Sequence, residues 1–354
     1  MTPPDSIKIP ASMHSMALTG RGGPENLRST RLPLPELHPG QVLIRVQAVA
    51  LNHLDVWVRK GVASPKLPLP HLLGSDIAGE VVAVGAGVQD VPIGSKVMLN
   101  PGVSCGHCER CLSGHDNLCH HYQILGEHRW GGYAQYIAVP RANVLQMPAG
   151  MDPIAAASVP LAALTAYQMV FERARIQPWE TAVVLAAASG VSVNLIQFCK
   201  LAGARVIAVA STPEKRALAL KLGADEVLSA HDDQVQAIKG LTQGEGAEVV
   251  FDHTGADNWQ HSLKSLKWGG RLVTCGASSG TEAMTPLNWV FFKQLSILGS
   301  TMGSKADLYR ILQFLQEGKL QPVVGHVLTL DRAREAHQLL EARQVLGKVV
   351  LKVE

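Results

Sequence analysis

Residues 181–210, TAVVLAAASGVSVNLIQFCKLAGARVIAVA, read as strand, tight turn, helix and second strand in immediate succession. After their first residues, Thr181 and Arg205, both strands are apolar, with none of the alternation that marks a strand with one wet face. Such strands belong to a parallel sheet covered on both sides by crossover helices. The pattern continues downstream, where the helix EKRALALKLGA is followed by AEVVFDHTG, GGRLVTCGA and LSILGST, three more apolar runs with helical segments between them. Upstream, helical periodicity from Pro153 to Arg175 leads into the first strand. An α/β domain with a doubly wound parallel sheet is predicted over residues 154–300.

The turn AASGVS is where this domain would take a ligand. Backbone N–H groups at a helix N-terminus attract a pyrophosphate, which makes Ser189, Gly190 and Val191 candidates for binding a dinucleotide. Ala186, Ala188 and Ser192 stand where glycines are common, so the turn alone also suits other α/β folds. The second strand ends at Ala210 and runs into STPEKR, with no acidic residue at the strand end to meet a ribose 2′-hydroxyl. Ser211, Lys215 and Arg216 can donate to a 2′-phosphate, which favours NADPH. The alternative is that Lys215 and Arg216 are the solvated face of a helix. Gly255, Gly276 and Ala277 lie in loops at the carboxyl ends of later strands, where they would flank the cofactor or serve as turns.

Outside this domain the texture differs. From Met13 to Val139 short runs such as QVLIRVQAVAL, EVVAVGAGV and AQYIAVP are punctuated by Gly and Pro, which predicts antiparallel, barrel-like β structure. After Met302 comes the helix KADLYRILQFLQEG, and then GKVVLKV returns to the β texture. The first domain is therefore expected to be discontinuous, from residues 1–153 and 301–354.

Within it, CGHCERCLSGHDNLC places thiols at Cys105, Cys108, Cys111 and Cys119. Thiolates at this spacing can converge on one tetrahedral zinc ion, and four sulfur ligands leave no open position, so the ion would be structural. An iron–sulfur cluster and four free thiols are the alternatives. His107, His115, His120 and His121 read as exposed loop residues in this lobe of residues 104–120, and Cys199 and Cys275 as small core residues.

The 32 Lys and Arg against 29 Asp and Glu leave a net charge of +3, with no basic run. Nothing in that balance suits nucleic acid or an anionic membrane, so small molecules are the expected partners. The segment MTPPDSIKIPASMHSM has no basic start and no unbroken apolar stretch, which reads as no secretory signal and a cytoplasmic protein.

Taken in order, the β-rich part, the four-cysteine lobe, the AAASGVS turn and the returning tail resemble the medium-chain dehydrogenase/reductase superfamily over nearly the whole chain. ALNHLDVWVRKG, LGSDIAGEVVAVGAGV, PLAALTAY and GKVVL carry the resemblance. It implies a GroES-like β-barrel domain bearing a structural zinc lobe, beside a Rossmann-type dinucleotide domain. It also implies a homodimer, or a tetramer, formed when LSILGST pairs with its copy.

The zinc alcohol dehydrogenases of that superfamily hold a catalytic zinc on Cys, His and Cys. By motif position these fall at Asn52, Ser75 and Leu161, with Asp76 and His53 beside them. Without that Lewis acid, hydride transfer to a quinone or an α,β-unsaturated carbonyl is favoured, since the resulting charge is delocalised and hydrogen bonds can hold it. This points to the quinone oxidoreductase and zeta-crystallin branch, in which ALNHLDVWVRKG lines the pocket. Asn52 and Trp57 then become candidate donors to the oxyanion, Asp55 an orienting group, Thr165 a neighbour of the nicotinamide and Lys348 a phosphate contact. Two other readings stand beside it: a zinc alcohol dehydrogenase with atypical ligands, and an NADPH-binding structural or regulatory protein with little turnover.

Overall fold

Gln41–Ala50 is the strand on which the β-rich part is assembled. Val42, Ile44, Val46 and Val49 are buried in one apolar cluster with Ile77, Val81, Ile137 and Leu351. Arg45, on the other face, pairs across the ladder with Glu80 at 2.7 Å. The computed structural model describes residues 9–354; the first eight residues of the segment read as carrying no secretory signal lie outside them.

In this sheet the order is Val144–Gln146, Lys96–Leu99, Asp76–Val84, Gln41–Ala50, Lys348–Lys352 and Val324–Thr329, with Tyr136–Pro140 also paired to Gln41–Ala50. Ala50 lies opposite Asp76 on one side and Val350 on the other, both antiparallel. Leu51 N donates to Val349 O at 2.9 Å, so the second register runs on and sets Lys348 opposite Asn52. Val324–Thr329 joins parallel to Lys348–Lys352, a pairing the antiparallel texture did not predict.

The other part is a six-stranded, wholly parallel sheet in the order Glu226–Ser229, Arg205–Ala210, Thr181–Val184, Ala247–Phe251, Leu266–Thr274 and Ser296–Gly299. Numbered along the chain, that is 3-2-1-4-5-6, the doubly wound order, whose ligand crevice opens where strands 1 and 4 meet. Helix Ser192–Leu201 follows the first strand and is buried along Val193, Leu195, Ile196, Phe198 and Cys199. Among the described residues no helix is long and apolar enough to cross a membrane.

Two boundaries differ from expectation. The chain divides into one unit ending at Leu161 and resuming at Val324–Glu354, and a second of Ala162–Val323, instead of breaking at 154 and 300. Pro160 explains the first shift: it has no N–H to donate and disfavours a helical Val159, so the expected helix 153–175 splits into Pro153–Ala157, Pro160–Tyr167 and a π-helical Gln168–Ala174. The first of these packs on Gln41–Ala50 and Asp76–Val84 and stays with the β unit. At the other end, helix Lys305–Gln316 belongs to the parallel-sheet unit. Phe314 meets Phe198 at 6.2 Å, and the Gln197 amide donates to Gln321 O and accepts from Gln321 N at 3.1 and 2.8 Å.

Candidate functional site

The four cysteines converge. Cys108 and Cys111 Sγ lie 3.5 Å apart, and the Cys105–Cys111 and Cys108–Cys119 pairs are each at 3.8 Å. All four sulfurs fall within 4.8 Å of one another. Thiolates each ~2.3 Å from a central zinc would be about 3.8 Å apart, so the set fits a closed tetrahedral site. Backbone N–H groups, first that of His107, hold the Cys105 thiol down at about 6, whereas burial pushes Cys111 up to about 11. Zinc, when bound, takes all four as thiolates and ties the short turns of this lobe together. His107, His115, His120 and His121 are exposed. Burial raises the thiols of Cys199 and Cys275.

The carboxyl ends of the parallel strands carry the dinucleotide candidates. Ser189, Gly190 and Val191 form the turn into helix Ser192–Leu201, Ser211 follows Ala210, Gly255 follows Ala247–Phe251, and Gly276 and Ala277 follow Leu266–Thr274. Gly255 has φ +95°, and a side chain there would meet Gly280 O at 2.7 Å, so both of its properties require glycine. Arg216 Nη1 reaches back to Ala210 O at 3.4 Å, which brings the guanidinium to the strand end, and Lys215 N is capped by Thr212 Oγ1.

His253 joins this turn, and the sequence reading assigned it no role. Its Nε2 lies 2.9 Å from Ser192 Oγ and 3.0 Å from Ser189 Oγ. Ser192 already donates its single hydroxyl proton to Leu185 O at 2.7 Å, so it must accept from His253, which puts the imidazole proton on Nε2. Ser189 Oγ accepts from Ser192 N at 3.1 Å. With Nε2 protonated, the Ser189 O–H cannot donate to the imidazole, and it sits at the mouth of a helix whose N-terminus already favours an anion.

In the β unit, Asn52 stands at the N-terminus of helix His53–Lys60. The Asp55 carboxylate accepts from Asn52 N at 2.7 Å and from Gly74 N at 2.8 Å. Burial pushes Asp55 up to about 6, against the pull of those N–H groups and of the Lys348 charge. Asp55 is thus a buried cap that fixes the turn. Lys348 Nζ donates to Asn52 Oδ1 at 2.5 Å and to Asp76 Oδ2 at 2.8 Å, and Asn52 Nδ2 donates to the same Asp76 oxygen at 2.8 Å. Leu161 N holds Asp76 Oδ1 at 2.6 Å. Ser75 Oγ is buried and makes no hydrogen bond among the described residues. His53 packs edge-on against Trp57, with ring centroids 5.4 Å apart.

Two family models match the chain: an alcohol dehydrogenase GroES-like domain over residues 38–149 and a zinc-binding dehydrogenase over residues 190–317. An NAD-dependent alcohol dehydrogenase of Sulfurisphaera tokodaii is 31% identical, covering 96% of this chain and 99% of its own. A crystal structure of an NAD-dependent alcohol dehydrogenase is 54% identical, covers 97% of this chain and all of its own, and superposes with a TM-score of 0.94. The chain belongs to the medium-chain dehydrogenase/reductase superfamily. Within it, the chain is of the zinc-containing alcohol dehydrogenase type and is an NAD(P)-dependent oxidoreductase. An acryloyl-coenzyme A reductase of Sulfurisphaera tokodaii is also similar, at 28% identity over 95% of this chain and 99% of its own. A probable quinone oxidoreductase of Schizosaccharomyces pombe is 30% identical over 90% of each chain, so the two alcohol dehydrogenases, at 31% and 54%, are the more similar, whereas the expectation leaned toward the quinone oxidoreductase branch.

As a medium-chain dehydrogenase/reductase, the chain has a donor set that does not fit a catalytic zinc. Leu161 offers no side-chain ligand, and Asn52 Oδ1 and both Asp76 oxygens already accept hydrogen bonds. An ammonium also lies among them, and each unit of cation charge ~4 Å from it is repelled by about 4 kcal/mol at an effective dielectric of 20. Among the described residues the four cysteines are the one group of three or more His, Cys, Asp and Glu side chains placed to share an ion.

Asn52, Asp55 and Lys348 are brought together, while Trp57 packs on His53 and Thr165 is buried in helix Pro160–Tyr167 of the other unit. Lys348 does not reach for a phosphate as expected: it is 3% exposed, and both ends of its charge network are internal. The available signal was a lysine opening the apolar run VVL in a strand otherwise buried.

Proposed function

We propose that this chain reduces conjugated carbonyl compounds, namely enones, enoyl thioesters or quinones, with NADPH and without a metal at the reacting oxygen. The observation that carries this reading is that Asn52, Ser75 and Leu161 stand at the motif positions of the zinc ligands of alcohol dehydrogenases, and that the Asn52 amide is bonded there to the Asp76 carboxylate and the Lys348 ammonium. The similarity to an acryloyl-coenzyme A reductase supports the same acceptor class.

A nicotinamide held by the parallel-sheet unit would supply the hydride that adds to the β-carbon of the acceptor; the C=C pair would then join the α-carbon to the carbonyl carbon as the C=O pair moves onto oxygen. Asn52 Nδ2 has a second N–H beyond the one given to Asp76 and donates it to that oxygen. A delocalised enolate needs only such donors, and a proton from water at the α-carbon completes the reduction. The turn at Ser189–Val191 would hold the pyrophosphate, and Ser211, Lys215 and Arg216 would meet the 2′-phosphate. Glycines Gly255 and Gly276, with Ala277, leave room for the rest of the dinucleotide. We further propose a homodimer.

A second reading, oxidation of an alcohol with NAD, is favoured by the names of the similar proteins. One experiment separates the two: zinc per chain, together with NADPH and NADH oxidation against enones, enoyl thioesters, quinones and saturated aldehydes. The expected result is one zinc and turnover confined to conjugated acceptors, with kcat/KM higher for NADPH. Two zinc ions and a preference for saturated aldehydes would overturn the reading in favour of the second. Changing Lys215 and Arg216 to Ala should raise the KM for NADPH more than that for NADH, and equal effects would remove the phosphate argument.

A further inference from the structure

The Asn52 amide has one permitted orientation. Lys348 carries donors only, so the amide atom 2.5 Å from its Nζ is the oxygen. Asp76 Oδ2, 2.8 Å from the other amide atom and 2.8 Å from Nζ, is an acceptor, so that atom is the nitrogen. A flipped amide would set an NH2 group against the ammonium and an oxygen against the carboxylate. Asp76 is itself held by Leu161 N through its second oxygen. Asp76 and Lys348 are 0% and 3% exposed, whereas Asn52 keeps 8%. Water therefore cannot compete for the ion pair, and Asn52 is the member of the trio that retains the most exposure.

We infer that Lys348 and Asp76 are positioning residues: their buried ion pair locks the Asn52 amide with its remaining N–H held for the substrate oxygen, and the ammonium polarises that amide. A charge fixed on the chain then acts through the amide, where zinc alcohol dehydrogenases place a metal against the oxygen directly. Hydrogen bonds in series strengthen one another in a low-dielectric site, so withdrawal at Oδ1 makes Nδ2 the better donor. The inference rests on the reading of Asn52 as the oxyanion donor.

The test uses the full-length, zinc-loaded protein. Lys348→Met keeps most of the stem volume and removes the charge; kcat should fall about 100-fold, the loss typical of removing one oxyanion donor, with the KM for the dinucleotide unchanged. Asn52→Ala should lose a similar factor, and the double variant no more than either alone, because both changes remove one device. In Lys348→Ala, added methylammonium should restore part of the lost rate, which a purely structural lysine would not allow. Full kcat in Lys348→Met, or losses that multiply in the double variant, would overturn the inference. Should Lys348→Met not fold, Asp76→Asn leaves the ammonium in place and is judged by the same criteria. Rates are compared with whatever acceptor the unmodified protein turns over, so activity on saturated substrates would defeat the proposed acceptor class and leave this test intact.

Discussion

Ala186 adopts φ +46°, a left-handed conformation in which glycine is the usual residue, and it does so in the turn from which most of the fingerprint glycines are missing. Substituted glycines therefore do not mean a different turn: a methyl group is small enough to be carried through the same backbone path. What the residues add is a hydroxyl. With its proton left over from the His253–Ser192–Leu185 chain, Ser189 offers an anion one more donor at the helix mouth. A hydrogen bond to a charged partner contributes about 1.5–3 kcal/mol, so Ser189→Ala should weaken dinucleotide binding about tenfold or more, measured by cofactor fluorescence titration. His253→Ala should show a smaller loss of the same kind, because it frees Ser189 to turn away. Unchanged affinity in both variants would exclude this assignment. The histidine was not legible as a site residue because its partners lie 61 and 64 positions away in the chain.

At the scale of elements, the sequence was most readable where the pattern was strongest. Arg205–Ala210 forms the strand that RVIAVA predicts, because an apolar β-branched run between a helix and a turn has few other uses. Helix Lys305–Gln316 was legible as a helix, with Ser304 capping Asp307 N at 3.2 Å, but not as part of the parallel-sheet unit. An amphipathic stripe says that a helix packs, not on what. The cysteine lobe is the opposite case, in which spacing alone led to the right cluster. Its helix Glu109–Leu112 is four residues long, too short to persist unaided, and Leu112 is 76% exposed, so the lobe has little core of its own. The bound ion must supply what packing does not. Stripping zinc with a chelator at neutral pH should therefore open residues 104–120 to proteolysis before the rest of the chain, and lower Tm. Cys111→Ser should behave like the stripped protein. A lobe equally resistant with and without zinc would argue against a structural ion.

Across the whole molecule, the two-part architecture could be read from the change of texture between Val139 and Pro153, and the reactive trio could not. Asn52, Asp76 and Lys348 come from three stretches that only antiparallel register brings side by side, and the register of a tail some 300 residues downstream is not written in local pattern. A similar lack of local signal applies to assembly. Ser296–Gly299 ends the parallel sheet, and among the described residues it pairs only with Leu266–Thr274, leaving one edge of N–H and C=O groups unmatched. Just before it, Met284, Leu287, Phe291 and Phe292 are each at least 64% exposed. An open edge next to a concentration of exposed apolar side chains is a liability for a lone chain, and pairing two copies edge to edge about a two-fold axis would remove it. Light scattering on the purified protein should give twice the chain mass. Ile297→Pro, which cannot sustain the ladder at that edge, should shift the population toward single chains, as should the paired change of Phe291 and Phe292 to Asp. A single-chain mass for the unmodified protein, or dimers that survive both variants, would place the contact elsewhere or nowhere.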